Sequence, residues 1–264
     1  WHSPEGDVRK QQCTDQVLRF LKCDLPSRNN RWDPPNIRGW LQHPYREANT
    51  SCRMPPFRAL DRLVPVCRAA KLLLVKEIRL VGQLSLLAST LRQGGVRALT
   101  VIHLVRDPRP MLASQIKLRW WNLHKGGRRE LERVARRTCT GMELDAAAGA
   151  TLHNRTGLRY VPVRFEDLVA NTSQVTRQLY GALEMPVPPS TTAWLHKTLR
   201  GECAAANSSE QFEYATCRNT SVRRRAKRHS WKHSLSYRQK RIITKQCSGA
   251  MRQFGYEFPA HMAE

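Results

Sequence analysis

The sequence predicts an α/β protein built on a parallel sheet, in three layers. Near-continuous apolar runs at 72–80, 98–105 and 158–165 read as strands buried on both faces. Stretches with helical periodicity fill the intervals between them. The length of 264 residues and a hydrophobic content of 41% support one sizeable core and exclude a disordered basic tail.

The elements follow in order. Asp7 can cap a helix running to about Leu25, with Val17, Leu18 and Leu21 on one face and Pro26 as its stop. Residues 26–56, rich in Pro, Arg and Asn, read as an irregular loop. Lys71 to Leu80 reads as the first strand. Leu84 to Arg92 reads as a helix stopped by Gly94-Gly95. Ala98 to Val105 is the second strand, and a helical stretch runs on to about His124. A helix is expected over 130–153, ending near Gly157, then a third strand from Leu158 to Phe165. Another helix covers 172–184, closed by Pro186, Pro188 and Pro189. Residues 201–264 differ in texture: a basic loop at Arg223 to Arg228, then a helix from about Tyr237 to Phe254 closed by Gly255. The whole, 1–264, is expected to be one domain.

Lys+Arg number 45 against 21 Asp+Glu, a formal net charge of +24. Such an excess calls for an anionic partner or substrate. Nucleic acid, anionic glycan and phosphorylated nucleotide all qualify on charge alone. No run reaches the roughly 20 apolar residues of a spanning helix. The eight cysteines form no CxxC pair, which argues against structural zinc, and their wide spacing suits disulfides of open connectivity. Five glycosylation sequons begin at Asn49, Asn154, Asn171, Asn207 and Asn219. Together these point to the secretory pathway.

The sharpest chemical feature is Val101 to Ser114. Arg106 stands at the carboxyl end of a predicted strand, where ligands of open parallel sheets sit. Asp107 can cap the next helix and Pro108 suits its first turn. Arg106 then offers a planar fork to a phosphate near the positive end of that helix, and Ser114 supplies a hydroxyl two turns in. The plainer reading is a capped surface helix with a solvated arginine.

Val105-Arg106-Asp107-Pro108-Arg109 with Ser114 resembles the 3′-phosphate-binding motif of Golgi carbohydrate sulfotransferases. The likeness continues in order through Val75 to Leu80, Cys139-Thr140-Gly141-Met142, Val163 to Leu168, Arg218-Asn219-Thr220, Trp231-Lys232, Leu235-Ser236-Tyr237, Cys247 and Gly255-Tyr256. It is nearest to the branch that sulfates the 6-hydroxyl of galactose, N-acetylgalactosamine and N-acetylglucosamine, which includes the chondroitin and keratan sulfate enzymes.

The resemblance implies a P-loop-NTPase-like fold and sulfuryl transfer from 3′-phosphoadenosine 5′-phosphosulfate to a primary sugar hydroxyl, with no metal. It places Arg106 and Ser114 on the 3′-phosphate. Arg218, Trp231 and Lys232 would close over the nucleotide from the basic segment 201–264, with Lys232 where the family commonly has Arg. Acceptors would be chondroitin, keratan or N-acetyllactosamine chains. The setting would be the Golgi lumen, with membrane attachment only through an N-terminal anchor outside the chain. The family's Gly/Ser-rich loop for the 5′-phosphosulfate does not occur, and Trp1-His2 resembles the end of a string that precedes it with a candidate base. The expectation is therefore an N-terminally incomplete domain, short of a strand and inactive by itself. Glu166 and His2 are weak candidates for the base; the plainer role for Glu166 is an ion pair with Arg164 or a lysine. His103 reads as a sheet residue.

A second reading is a catalytically inactive, basic glycan-binding protein derived from that family. A nucleic-acid binder lacks zinc spacing, an RNA-recognition aromatic motif and a basic helix with heptads. A nucleoside kinase lacks the Gly-rich Lys-containing loop.

Overall fold

The computed structural model describes residues 11, 14–15, 17–24, 63–77, 80–96, 98–117, 123–156, 158–200 and 231–257. By contacts the chain divides into two units, 1–77 with 196–224, and 78–195 with 225–264. The expected loop at 26–56 and the basic loop at 223–228 lie outside the described residues.

In the first unit, helical residues fall between 11 and 21, and α1 spans Leu63–Ala69. A disulfide joins Cys23 to Cys67 across 44 residues. The short α1 went unread in the sequence because Pro65 sits inside it, where proline suits a first turn as readily as a loop. The segment expected as the first strand is different from its prediction. Residues 72–77 carry no ladder, and Leu72 and Leu74 are exposed. An apolar run becomes a strand only where a neighbouring strand completes its ladder.

The second unit holds α2 (Leu84–Gln93), β1 (Thr100–Val105), α3 (Pro108–Lys117), α4 (Leu123–Thr156), β2 (Arg159–Arg164), α5 (Phe165–Ala170), α6 (Thr172–Ala182) and α7 (Pro189–Arg200), the last running past its boundary. It closes with α8 (Trp231–Ser234), α9 (Tyr237–Gln246) and α10 (Ser248–Gln253). β1 and β2 pair in parallel, Thr100 opposite Arg159 and Val105 opposite Arg164. Among the described residues the sheet has these two strands rather than the three expected. Nor is it covered throughout: Val163 is buried, yet its partner Leu104 is 55% exposed. α5 and α6 pack against β2.

The core gathers where α4 meets α3, α9 and α10. Val105, Leu112, Val134, Ile243, Met251 and Tyr256 are buried in it. A second disulfide, Cys139–Cys247, ties α4 to the junction of α9 and α10 inside that core. The single helix expected over 237–254 is thus two, broken at Cys247. Ser236 caps α9 in a reciprocal box: its hydroxyl accepts the Gln239 N–H, and the Gln239 side chain accepts the Ser236 N–H. Gly255, at φ +64°, ends α10 in the left-handed region where glycine carries no Cβ penalty.

α2 has its N-terminus capped from a distance. The Asp145 carboxylate on α4 accepts the N–H groups of Gly82 at 2.7 Å and Leu84 at 2.9 Å. Burial raises the Asp145 pKa above its ordinary value, against the opposing pull of those N–H donors and of His103. α4 itself bends at Gly127, whose backbone is not helical.

Candidate functional site

β1 is followed directly by an arginine, and β2 ends in one. Val105 passes into Arg106-Asp107 as α3 begins, and Arg164 passes into Phe165-Glu166 as α5 begins. Parallel pairing brings these two carboxyl ends side by side.

Asp107 does three things at once. Its Oδ1 accepts the Arg109 N–H at 2.9 Å, which caps α3 as expected. Its carboxylate forks with the Arg109 guanidinium, the shortest contact 2.7 Å. Its own N–H donates to Glu166 Oε1 at 3.1 Å. Arg109 is buried in that pair, whereas Arg106 is half-buried and points its guanidinium over the Phe165 ring, 4.7 Å from the centroid. Burial pushes the Arg106 pKa down, while Glu166, Asp107 and Tyr256 pull it up.

Four side-chain atoms among the described residues are buried without a hydrogen-bond partner: Arg106 Nε, Arg164 Nε, Glu166 Oε2 and the Tyr256 hydroxyl. All four belong to this corner. Arg164 lies over the Tyr256 ring at 4.8 Å and pairs loosely with Asp167 at 3.8 Å, rather than with Glu166. Burial, then Glu166, raises the Tyr256 pKa well above its ordinary value. Orphaned polar atoms cost free energy, and their concentration at a strand end marks a place built to meet a polar ligand. Two guanidinium groups there are chemically suited to an anion.

Ser114 is exposed on α3, two turns into the helix that starts beside Arg106. α8, which begins with Trp231 and Lys232, packs against α3, so its backbone stands next to the same helix. Arg218 and His2 lie outside the described residues. His103 is engaged within the sheet and its neighbours: its Nδ1 is 2.7 Å from the Tyr160 hydroxyl, and its ring meets Phe254 edge-on. The sequence reading missed Arg164, Phe165 and Tyr256. The signal was available for the first two, because they stand at the carboxyl end of β2 as Arg106 and Asp107 stand at that of β1. Tyr256, named in the ordered likeness but given no role there, is brought in from the far end of the chain.

No group of His, Cys, Asp and Glu able to hold a metal occurs among the described residues. No helix among them is long and apolar enough to cross a membrane.

A parallel α/β unit whose strand ends gather two guanidinium groups has a corner suited to an anion. Comparison with known proteins supplies the family. A model described as "Sulfotransferase family" matches residues 28–189, more than half of the chain, and the chain belongs to that family. It is similar to human carbohydrate sulfotransferase 3, with 28% identity over 209 residues, 72% of this chain and 40% of that protein. Human carbohydrate sulfotransferase 1 is 30% identical over 63% of this chain and 41% of its own length. Human carbohydrate sulfotransferase 6 is 28% identical over 72% and 49% respectively. The chain therefore spans less than half the length of these relatives. No solved structure matches it significantly. The resemblance read from the residues, to carbohydrate sulfotransferases of the Golgi, is borne out by these matches.

Proposed function

We propose that the protein transfers sulfate from 3′-phosphoadenosine 5′-phosphosulfate to the primary 6-hydroxyl of a galactose or N-acetylhexosamine unit in a glycan. The observation that carries this is the Arg106 guanidinium, half-buried at the end of β1 with its Nε unpartnered, on a chain of the sulfotransferase family. The donor supplies the sulfuryl group; the chain's own residues bind and orient. Arg106 and Ser114 hold the 3′-phosphate. Asp107 keeps Arg109 occupied and leaves Arg106 as the guanidinium turned to the ligand. Trp231 and Lys232, whose short helix α8 packs against α3, are read as further nucleotide contacts, together with Arg218. Positioning and charge stabilisation are the main requirements of such an in-line displacement.

The acceptor is read as an anionic glycan of chondroitin, keratan or N-acetyllactosamine type, in keeping with a net charge of +24. The Golgi lumen is the proposed setting. Two disulfides and an exposed sequon at Asn171 support it. Residues 1–264 are read as one sulfotransferase domain. They contain no Gly/Ser-rich phosphosulfate loop, so the chain alone is proposed not to turn over. The test is transfer of radiolabelled sulfate to chondroitin, keratan and N-acetyllactosamine acceptors, by the parent protein and by the 264-residue chain. Label on the primary hydroxyl with the parent alone is the expected result. Turnover by neither favours the inactive glycan-binding reading, and turnover by the short chain shows that the catalytic groups lie within it.

A further inference from the structure

From the contact between Glu166 and the Asp107 main chain, we infer that Glu166 is a positioning residue that fixes the Arg106 guanidinium for its anion. This inference rests on the phosphate-site reading above.

A helix cap leaves the N–H of the cap residue itself without a helical partner. In a local capping box, the side chain three positions later reaches back to satisfy it. After Asp107 that position holds Pro110, which has no acceptor to offer. The vacancy is filled across the fold. Glu166, 59 residues further on at the start of α5, accepts the Asp107 N–H through Oε1 at 3.1 Å. That N–H belongs to the same rigid peptide unit as the Arg106 carbonyl. Holding it sets the plane that follows Arg106, and with it the direction in which the side chain leaves the strand. The other carboxylate oxygen, Oε2, is buried away from solvent. Tyr256, 6% exposed, walls the carboxylate on its far side. A general base needs an oxygen free to meet the acceptor hydroxyl. Here one oxygen is spent on a tether and the other is enclosed.

The tether depends on reach and on an acceptor oxygen, not on charge, and two substitutions separate these. Glu166→Gln keeps the length and an amide oxygen but removes the charge. Glu166→Asp keeps the charge but shortens the arm by one methylene. The readout is the ratio of dissociation constants for adenosine 5′-monophosphate and adenosine 3′,5′-bisphosphate, measured by calorimetry on the full chain. This ratio isolates the 3′-phosphate and cancels any general loss of fold. The wild type should prefer the bisphosphate. Glu166→Gln should keep that preference within about threefold, and Glu166→Asp should lose about tenfold, the scale of one buried hydrogen bond. The opposite pattern, Asp retained and Gln lost, makes Glu166 a charge partner and overturns the inference. So does equal behaviour of the two variants. A wild type that binds both nucleotides equally overturns the phosphate-site reading, and the inference with it.

Discussion

Cys139 and Cys247 are joined by a disulfide in the centre of the core, and neither sulfur-bearing residue has any solvent exposure. The bond closes 108 residues of chain and pins the break between α9 and α10 onto α4. On the chain-entropy account a loop of that length gives about 4–5 kcal/mol. Cys139→Ala with Cys247→Ala should lower stability by an amount of that order, against losses of about 1 kcal/mol typical of single substitutions. Denaturant unfolding of oxidised wild type and double variant checks it. Near-equal midpoints would mean that packing alone holds the α4 junction.

Gly149 on α4 faces the Tyr160 ring so closely that an added Cβ would overlap the ring carbons. Tyr160 is on β2 and hydrogen-bonds with His103 on β1, so it cannot retreat without breaking that contact. Gly149→Ala should cost about 1–3 kcal/mol despite its better helix propensity. A thermal melt is sufficient, and a rise in Tm would show that the ring moves freely.

His103 should make stability fall on mild acidification. Burial lowers its pKa from 6.5, with Asp145 opposing. The unfolded chain therefore takes up the proton first. The contribution is complete above 6.5 and is lost as pH falls from there toward the lowered folded value. The Asp145 pKa is raised above 3.8 by burial, so protonation in that lower range relieves a cost and acts in the opposite sense. Tyr160, pushed up to about 12, stays neutral throughout. Melts at pH 7.5 and 5.5 should show a drop for wild type that is reduced in His103→Gln. Identical drops in both proteins would assign the effect to another group.

Arg106→Ala should weaken adenosine 3′,5′-bisphosphate binding by about 1.5–3 kcal/mol, the value of a charge-assisted hydrogen bond. Most of that difference should vanish with adenosine 5′-monophosphate. Calorimetry with both ligands decides. An unchanged bisphosphate affinity would place the phosphate elsewhere.

The segment Val101 to Ser114 was legible in full from the residues: an apolar strand, an arginine at its end, an aspartate cap and a proline in the first turn. Each of these is local, decided within a few residues by sterics and backbone hydrogen bonding. α2 with its Gly94-Gly95 stop and the strand at 159–164 were legible for the same reason. The run at 72–77 was not, because an apolar run specifies burial but not a partner, and the ladder has to come from elsewhere.

The sequence by itself determined the class of chemistry. Its charge, its Arg106 turn and its ordered motifs were enough to point to an anionic nucleotide and a sulfotransferase. Tertiary structure alone decided which groups meet at the site. Parallel pairing set Arg164, Phe165 and Glu166 beside Arg106, and the end of α10 delivered Tyr256 beneath them. It also chose Cys139 and Cys247 as partners from eight cysteines, and gave Asp145 the cap of a helix about 60 residues away. These contacts join residues 59 to 108 positions apart, and the free energy that selects them comes from packing shared across several elements, which no local window contains.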